Sequence, residues 1–309
     1  MTTAVEIASV QKAGVDAIAP PLPLARGSVS AALRLEFARD TTTGRTRLSE
    51  SRQEAPLRVV RAFETEDGTS LAHLHNVSGG LLGGDLLSLD VRAGACSNVQ
   101  LTTTGATRIY RSRSGAEAAT QKSTITVGSN ALLEYAPDAI IPFAGAQFAQ
   151  RTEIQLEAGA GLFWWEILSP GREASGEVFE YERVDLKMDL LVAGRLIAAE
   201  RLRLEPARRG MSTAARKGAY STWATFYICR EGVDASLWTA LEAELHGLVY
   251  GFGGGKEVLW GVSTLPAHGV AVRCLARNGR LVLPGLHAIW SAAKKKLYSR
   301  EAVPPRKVN

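Results

Sequence analysis

Cysteine is scarce in this sequence of 309 residues: Cys96, Cys229 and Cys274 are the only three, and they lie far apart. They make neither a disulfide framework nor a Cys-x-x-Cys metal pair, and a cytoplasmic protein is the expectation. Long apolar runs are also missing. No stretch of about 18 apolar residues occurs, so no membrane-spanning helix is expected. The stretch up to Pro21 carries Glu6 and Asp16 and lacks a basic start followed by an apolar core. It does not read as a secretory signal.

Several catalytic and nucleotide-binding patterns fail for stated reasons. Gly79-Gly80-Leu81-Leu82-Gly83-Gly84 looks like a phosphate cradle, but it ends in Asp85 and leads into a strand. A P-loop needs Gly-Lys-Ser/Thr and a helix there. Gly251-Phe-Gly-Gly-Gly-Lys256 fails as well, with Tyr250 where a Walker motif needs glycine and Lys256 where a dinucleotide fingerprint needs it. That segment reads as a flexible turn. Ser175-Gly176 is not set in Gly-x-Ser-x-Gly, so no nucleophile elbow is readable. No Cys/His cluster has structural-metal spacing. Basic side chains cluster at 108–113, 201–217 and 294–296, and the net charge is +5. Without interleaved aromatics these clusters read as solvated faces, not a nucleic-acid surface.

What is present is strand alternation. Hydrophobic residues at 46% and charged residues at 22% are ordinary for a globular protein. Residues 1–27 end in a proline-rich stretch and read as a loosely held arm, residues 28–300 as a single domain, and residues 301–309 as a polar tail. Val29, Ala31, Leu33, Leu35 and Phe37 alternate as a half-buried strand. Further alternating runs cover 57–63, 70–77, 180–191, 195–204, 221–229, 258–265 and 269–276. Between 87 and 166 a unit repeats: an alternating strand, a glycine turn, then a more apolar strand. The turn glycines Gly94, Gly128 and Gly159 fall 34 and 31 residues apart. Stacked β layers over one continuous core and an ordinary β-sandwich both fit that spacing. Two helices are expected near the C-terminus. One runs from an Asp234 cap to about Val249, with Leu237, Leu241, Leu245 and Leu248 at helical spacing; the other covers 286–298, with lysines at its C-terminal end.

Residue types alone give two weak sites. His73 and His75 share a strand face, with Asp85 beyond the glycine turn, and could form half a metal site. Glu166, Glu173 and Glu177 could supply the carboxylate pair of a β-rich carbohydrate hydrolase.

The motifs also carry a resemblance. Gly79 to Asp85, followed by Leu101-Thr-Thr-Thr-Gly-Ala-Thr-Arg-Ile-Tyr-Arg-Ser112, is similar to the signature of the UreD (UreH) urease accessory proteins. So are Leu132-Leu-Glu134-Tyr-Ala-Pro-Asp138-Ala-Ile-Ile-Pro-Phe143 and Trp165-Glu166 through Gly171-Arg172 to Gly176-Glu177. The match departs just before the turn, where Asn76-Val77-Ser78 stand in place of prolines found in many members. The resemblance implies a helical β-sandwich of stacked β layers with two helices. It implies a non-enzymatic scaffold that binds UreF, and through it UreG, and docks on apo-urease to help deliver nickel along a polar internal tunnel. Nickel would be bound weakly and transiently. By position in the matching motifs, Asp85, Glu134, Asp138, Glu166 and Glu177 join His73 and His75 as candidate path residues. No nucleic-acid or membrane partner is implied.

Overall fold

Inward-facing aliphatic side chains in the alternating strands stack into ladders, and these ladders set the architecture. The computed structural model describes residues 27–211, 218–252 and 256–305. Most of the expected arm (1–26), the end of the expected tail (306–309), part of the basic loop (212–217) and part of the glycine turn (253–255) lie outside them.

The chain runs β1 (Ser30–Arg39), β2 (Thr46–Gln53), β3 (Leu57–Arg58), β4 (Ala62–Glu64), β5 (Ser70–Asn76), β6 (Leu86–Ala93), β7 (Asn98–Thr103), β8 (Thr107–Ile109), β9 (Ala119–Val127) and β10 (Leu132–Tyr135). It continues through β11 (Ile140–Pro142), β12 (Gln147–Leu156), β13 (Gly161–Leu168), β14 (Arg183–Val192), β15 (Arg195–Leu204), β16 (Thr222–Arg230), α1 (Ala235–Tyr250), β17 (Val258–Thr264), β18 (Gly269–Ala276) and α2 (Val282–Tyr298). One sheet has the order β15-β14-β12-β9-β6-β1-β2 and the other β17-β18-β16-β13-β10-β7-β5-β3, with β4, β8 and β11 attached to the second.

The repeat is a coil. β6, β9 and β12 lie parallel in the first sheet, and their successors β7, β10 and β13 lie parallel in the second. Each turn sits on the one before: Gly94 N–H donates to Phe37 O at 2.8 Å, Gly128 N–H to Ala93 O at 2.7 Å, and Glu157 N–H to Val127 O at 3.0 Å. Stacked β layers, one of the two arrangements the spacing allowed, is the one observed. Register puts Leu35, Val91, Ile125, Ile154 and Leu190 side by side across five strands. All five are 0% exposed, and each such side chain contributes about 1.5–3 kcal/mol of burial.

The second sheet is covered on its outer face by the helices. Asp234 caps α1 by accepting from Ser236 N–H at 2.8 Å, and Trp238, Leu241, Leu245 and Val249 are buried beneath it. α2 buries Leu286, Ile289, Ala293 and Leu297, as the spacing predicts, but starts four residues before the expected boundary. Pro284 does not break it, because a proline in the first turn removes only an N–H that has no helical partner. The segment after α2 is not wholly free of the body: Gln100 Nε2 donates to Val303 O at 2.8 Å. No helix among the described residues is long and apolar enough to cross a membrane.

Candidate functional site

The aliphatic ladders of the first sheet are interrupted on its central strands β9 and β12. Two neighbouring rows read Leu87, Gln121, Gln150, Leu186 and Leu89, Ser123, Thr152, Met188 in register. Four polar side chains therefore occupy inward positions on β9 and β12, where the rows beyond are aliphatic. All four line a cavity of about 270 Å³ between the sheets. Buried polar groups need partners, and Gln150 finds one across the sandwich: its Nε2 donates in a short hydrogen bond to Glu166 Oε2 on β13.

Glu166 is a strongly perturbed carboxyl on the cavity wall. Burial pushes its pKa up to about 7; the Gln150 hydrogen bond opposes the rise and the negative charge of Glu200 adds to it. Glu200 is held by Tyr227 Oη–H at 2.6 Å and by Arg273 Nη2 at 2.9 Å. The cavity's other lining includes His75, Asn76, Gly79, Gly80, residues 103–108 and Asp138. Burial, then the neighbouring His73, lowers the His75 pKa, so its imidazole is neutral near pH 7. Asp138 Oδ2 accepts from Thr103 Oγ1 at 3.2 Å, and Asp138 N–H donates back to the same hydroxyl at 2.8 Å.

The glycine turn forms one wall. Gly79 and Gly84 have φ of +83° and +88°. At Gly80 an added Cβ would lie 2.6 Å from Arg108 O, and at Gly83 2.8 Å from Ser112 Oγ. Positive φ at the outer glycines and close approach at the inner ones thus account for all four, as the turn's composition predicts. We expect Gly84→Val to lose about 1–3 kcal/mol of stability, because a β-branched residue is strained at positive φ. Thermal melting measures this, and an unchanged midpoint would contradict the strained-turn reading.

Of the seven candidate residues, the cavity gathers His75, Asp138 and Glu166. It does not gather the other four. His73 lies on the β5 face with its ring edge-on to Phe63, centroids 6.0 Å apart. Asp85 closes the glycine turn, accepting from Val29 N–H at 3.0 Å and Leu82 N–H at 2.8 Å. Glu134 occupies the opposite face of β10, held by Lys294 Nζ at 2.9 Å and Trp290 Nε1 at 2.8 Å. Glu177 is paired with Arg172 and accepts from Ala144 N–H at 3.1 Å. Arg172, then that backbone donor, holds its carboxyl down at about 2. The hydrolase alternative needs Glu166 and Glu177 to flank one bond, yet Glu177 is not among the cavity's lining residues.

Sequence reading missed Gln121, Ser123, Gln150 and Thr152. The signal was available: alternation places them at inward strand positions, where polar residues mark a cavity or a ligand. Among the described residues no group of three or more His, Cys, Asp or Glu comes together as a metal site.

Coiled parallel layers, an outer pair of helices and a cavity between the sheets with polar side chains in its lining define a helical β-sandwich scaffold. Comparison with known sequences takes the assignment further. The family model described as UreD urease accessory protein matches residues 29–309, and the chain belongs to that family. A urease accessory protein UreD of Herpetosiphon aurantiacus is 47% identical over 264 residues, covering 85% of this chain and 92% of its own length. One from Bacillus sp. (strain TB-90) is 29% identical over 265 residues, covering 85% and 94%. One from Halalkalibacterium halodurans is 32% identical over 196 residues, covering 63% and 72%. All three are named as accessory proteins and not as enzymes.

Proposed function

We propose that this protein is a cytoplasmic scaffold in urease maturation that passes nickel to the apo-enzyme through its internal cavity, acting with UreF and UreG. The observation that carries the reading is the polar window in the aliphatic core, with Glu166 on one side and His75 and Asp138 also on the cavity wall. Neutral imidazole and carboxylate oxygen are both acceptable nickel donors. The donors are dispersed along the wall and not closed into a cage, which suits a carrier that must release its cargo. Affinity on the order of micromolar, about −8 kcal/mol, fits that task.

Amide and alanine variants separate path residues from structural ones. Glu166→Gln, Asp138→Asn and His75→Ala are expected to fold and assemble with UreF normally, yet to lower the nickel content of urease several-fold under limiting nickel. Asp85→Asn and Glu177→Gln are expected to lose stability instead, because each weakens hydrogen bonds that close a turn. Metal analysis of purified urease alongside melting of each variant makes the distinction. Wild-type nickel loading by all three cavity variants would reduce the protein's role to docking.

A further inference from the structure

A polar row on the second sheet leads outward from Glu166. Register aligns Glu166 on β13, Thr225 on β16, Arg273 on β18 and Gly261 on β17. The row on one side reads Tyr135, Trp164, Tyr227, Ala271, all part of the core between the sheets. The row on the other side reads Leu168, Trp223, Leu275, Leu259. Strand alternation therefore points Glu166, Thr225 and Arg273 toward the first sheet. Inward charges are costly unless paired, and the partner for Arg273 comes from that facing sheet. Glu200 lies on the edge strand β15, at the end of the row Ser123, Thr152, Met188. It accepts from Arg273 Nη2 at 2.9 Å and from Tyr227 Oη–H at 2.6 Å. Tyr227 in turn packs beside Trp164, which lines the cavity, with ring centroids 6.1 Å apart. The Glu200–Arg273 pair thus ties the two sheets together on the side away from β3 and β5. It is partly open to water, with side chains 24% and 54% exposed. Gly261, next to Arg273, has no atom within 4 Å of an added Cβ, so the guanidinium has room to turn outward.

We propose that Glu200 is the next carboxylate on the nickel route after Glu166, and that Arg273 occupies it until the metal displaces the guanidinium. This assignment rests on the conduit reading and adds to it a second station and a closed end. The charge of Glu200 is already felt at Glu166, whose pKa it helps to raise. Two cations then compete for one carboxylate. A divalent ion arriving along the row gains the Glu200 oxygens, and carboxylate is an acceptable nickel donor. Arg273 gives up one charge-assisted hydrogen bond and recovers hydration at the open edge, as long basic side chains do. Tyr227 keeps the carboxylate in place in both states. With no cargo present, the guanidinium fills the station and its positive charge bars cations from entering at this end.

Titration calorimetry with Ni2+ on the full-length protein tests the exchange. Arg273→Gln frees Glu200 and is expected to bind Ni2+ roughly fivefold more tightly than wild type, and Glu200→Gln roughly threefold more weakly. Arg201→Gln controls for charge alone. It frees Asp189 on the outward face of β14 and is expected to stay within about twofold of wild type. Position is read from a methyl signal. The chain has three methionines, and Met188 stands between Thr152 and Glu200 in register. Paramagnetic Ni2+ is expected to broaden the 13C-methyl resonance of Met188 in wild type and in Arg273→Gln, and to leave it sharp in Glu200→Gln. Melting checks folding, and because the two variants shift affinity in opposite directions, either one carries the test alone. Equal tightening by Arg273→Gln and Arg201→Gln would overturn the proposal, as would wild-type broadening of Met188 in Glu200→Gln. Nickel loading of urease separates this proposal from the conduit. If Glu166→Gln lowers loading while Glu200→Gln loads as wild type, the conduit stands and the Glu200 station falls; wild-type loading by both variants removes both.

Discussion

Lys294→Met is expected to destabilise the protein by about 3–5 kcal/mol, the cost typical of removing one partner from a buried ion pair. The Lys294 and Glu134 side chains are each 3% exposed, with Nζ and Oε2 2.9 Å apart. Trp290 Nε1 donates to the other carboxylate oxygen at 2.8 Å. Burial pushes the Glu134 pKa up while Lys294 and then Trp290 oppose it. Without the ammonium the carboxyl stays dry, with one hydrogen-bond donor in place of two. For a chain of this size the loss corresponds to a fall of about 5–10 °C in Tm. Glu134→Gln leaves the ammonium uncompensated and is expected to cost a similar amount. The double variant, which keeps an amide oxygen for Trp290, is expected to cost much less than the sum of the two. Additive single-variant effects would show that the pair is not coupled, and the clamp between β10 and α2 would have to be assigned to apolar packing alone.

That pair also shows where the sequence stopped being legible. Most strands, the repeating strand–glycine–strand unit and the logic of the glycine turn were readable, because strand alternation and glycine placement are local signals; β2 (Thr46–Gln53) was not among the runs read, and spacing alone did not separate stacked layers from an ordinary sandwich. α1 was readable from its leucine spacing and the Asp234 cap. The role of Glu134 was not, because its partner lies 160 residues further on and only α2 packing onto the second sheet brings them together. A motif match placed Glu134 on a metal path, and tertiary contact assigns it to the helix. Asp85 and Glu177 follow the same pattern: position in a motif marked them, while the turn hydrogen bonds they accept explain them. Glu166 was flagged by motif, and the structure places it on the cavity wall; alternation could have marked Gln150 as inward-facing, but its pairing with Glu166 depends on how the two sheets pack face to face. The α2 boundary shifted because Pro284 and Gly285 look like breakers. Proline is tolerated in a first turn, and Gly285 lets α2 approach the Trp260 ring closely.

Glu166 carries the second large effect, which is pH-dependent. The unfolded carboxyl titrates near 4.5 and the folded one near 7. The raised folded pKa means that the protonated form is favoured in the fold. The associated stability is fully present below pH 4.5 and is lost as pH rises to about 7, above which the penalty is constant. The shift corresponds to about 3 kcal/mol. Glu134, whose pKa is also raised, titrates in an overlapping direction, so the difference between wild type and Glu166→Gln isolates the Glu166 contribution. At pH 5 the two proteins are expected to melt together, since a protonated carboxyl and an amide are close in shape and polarity. At pH 8 the variant is expected to be the more stable by about 3 kcal/mol, because it buries no charge. Glu177 does not interfere, since its lowered pKa makes its contribution constant above pH 4.5 and lost only below it. A stability difference that stays constant from pH 5 to 8 would show that Glu166 is not titrating near neutrality. On the proposed conduit reading, the same titration bears on nickel transfer. A carboxyl poised near pH 7 can exchange a proton for a metal ion at little cost, binding it as the proton leaves and releasing it as the proton returns. Urease activation by wild type should therefore fall steeply between pH 8 and 6, while the residual activation by Glu166→Gln changes less over the same range.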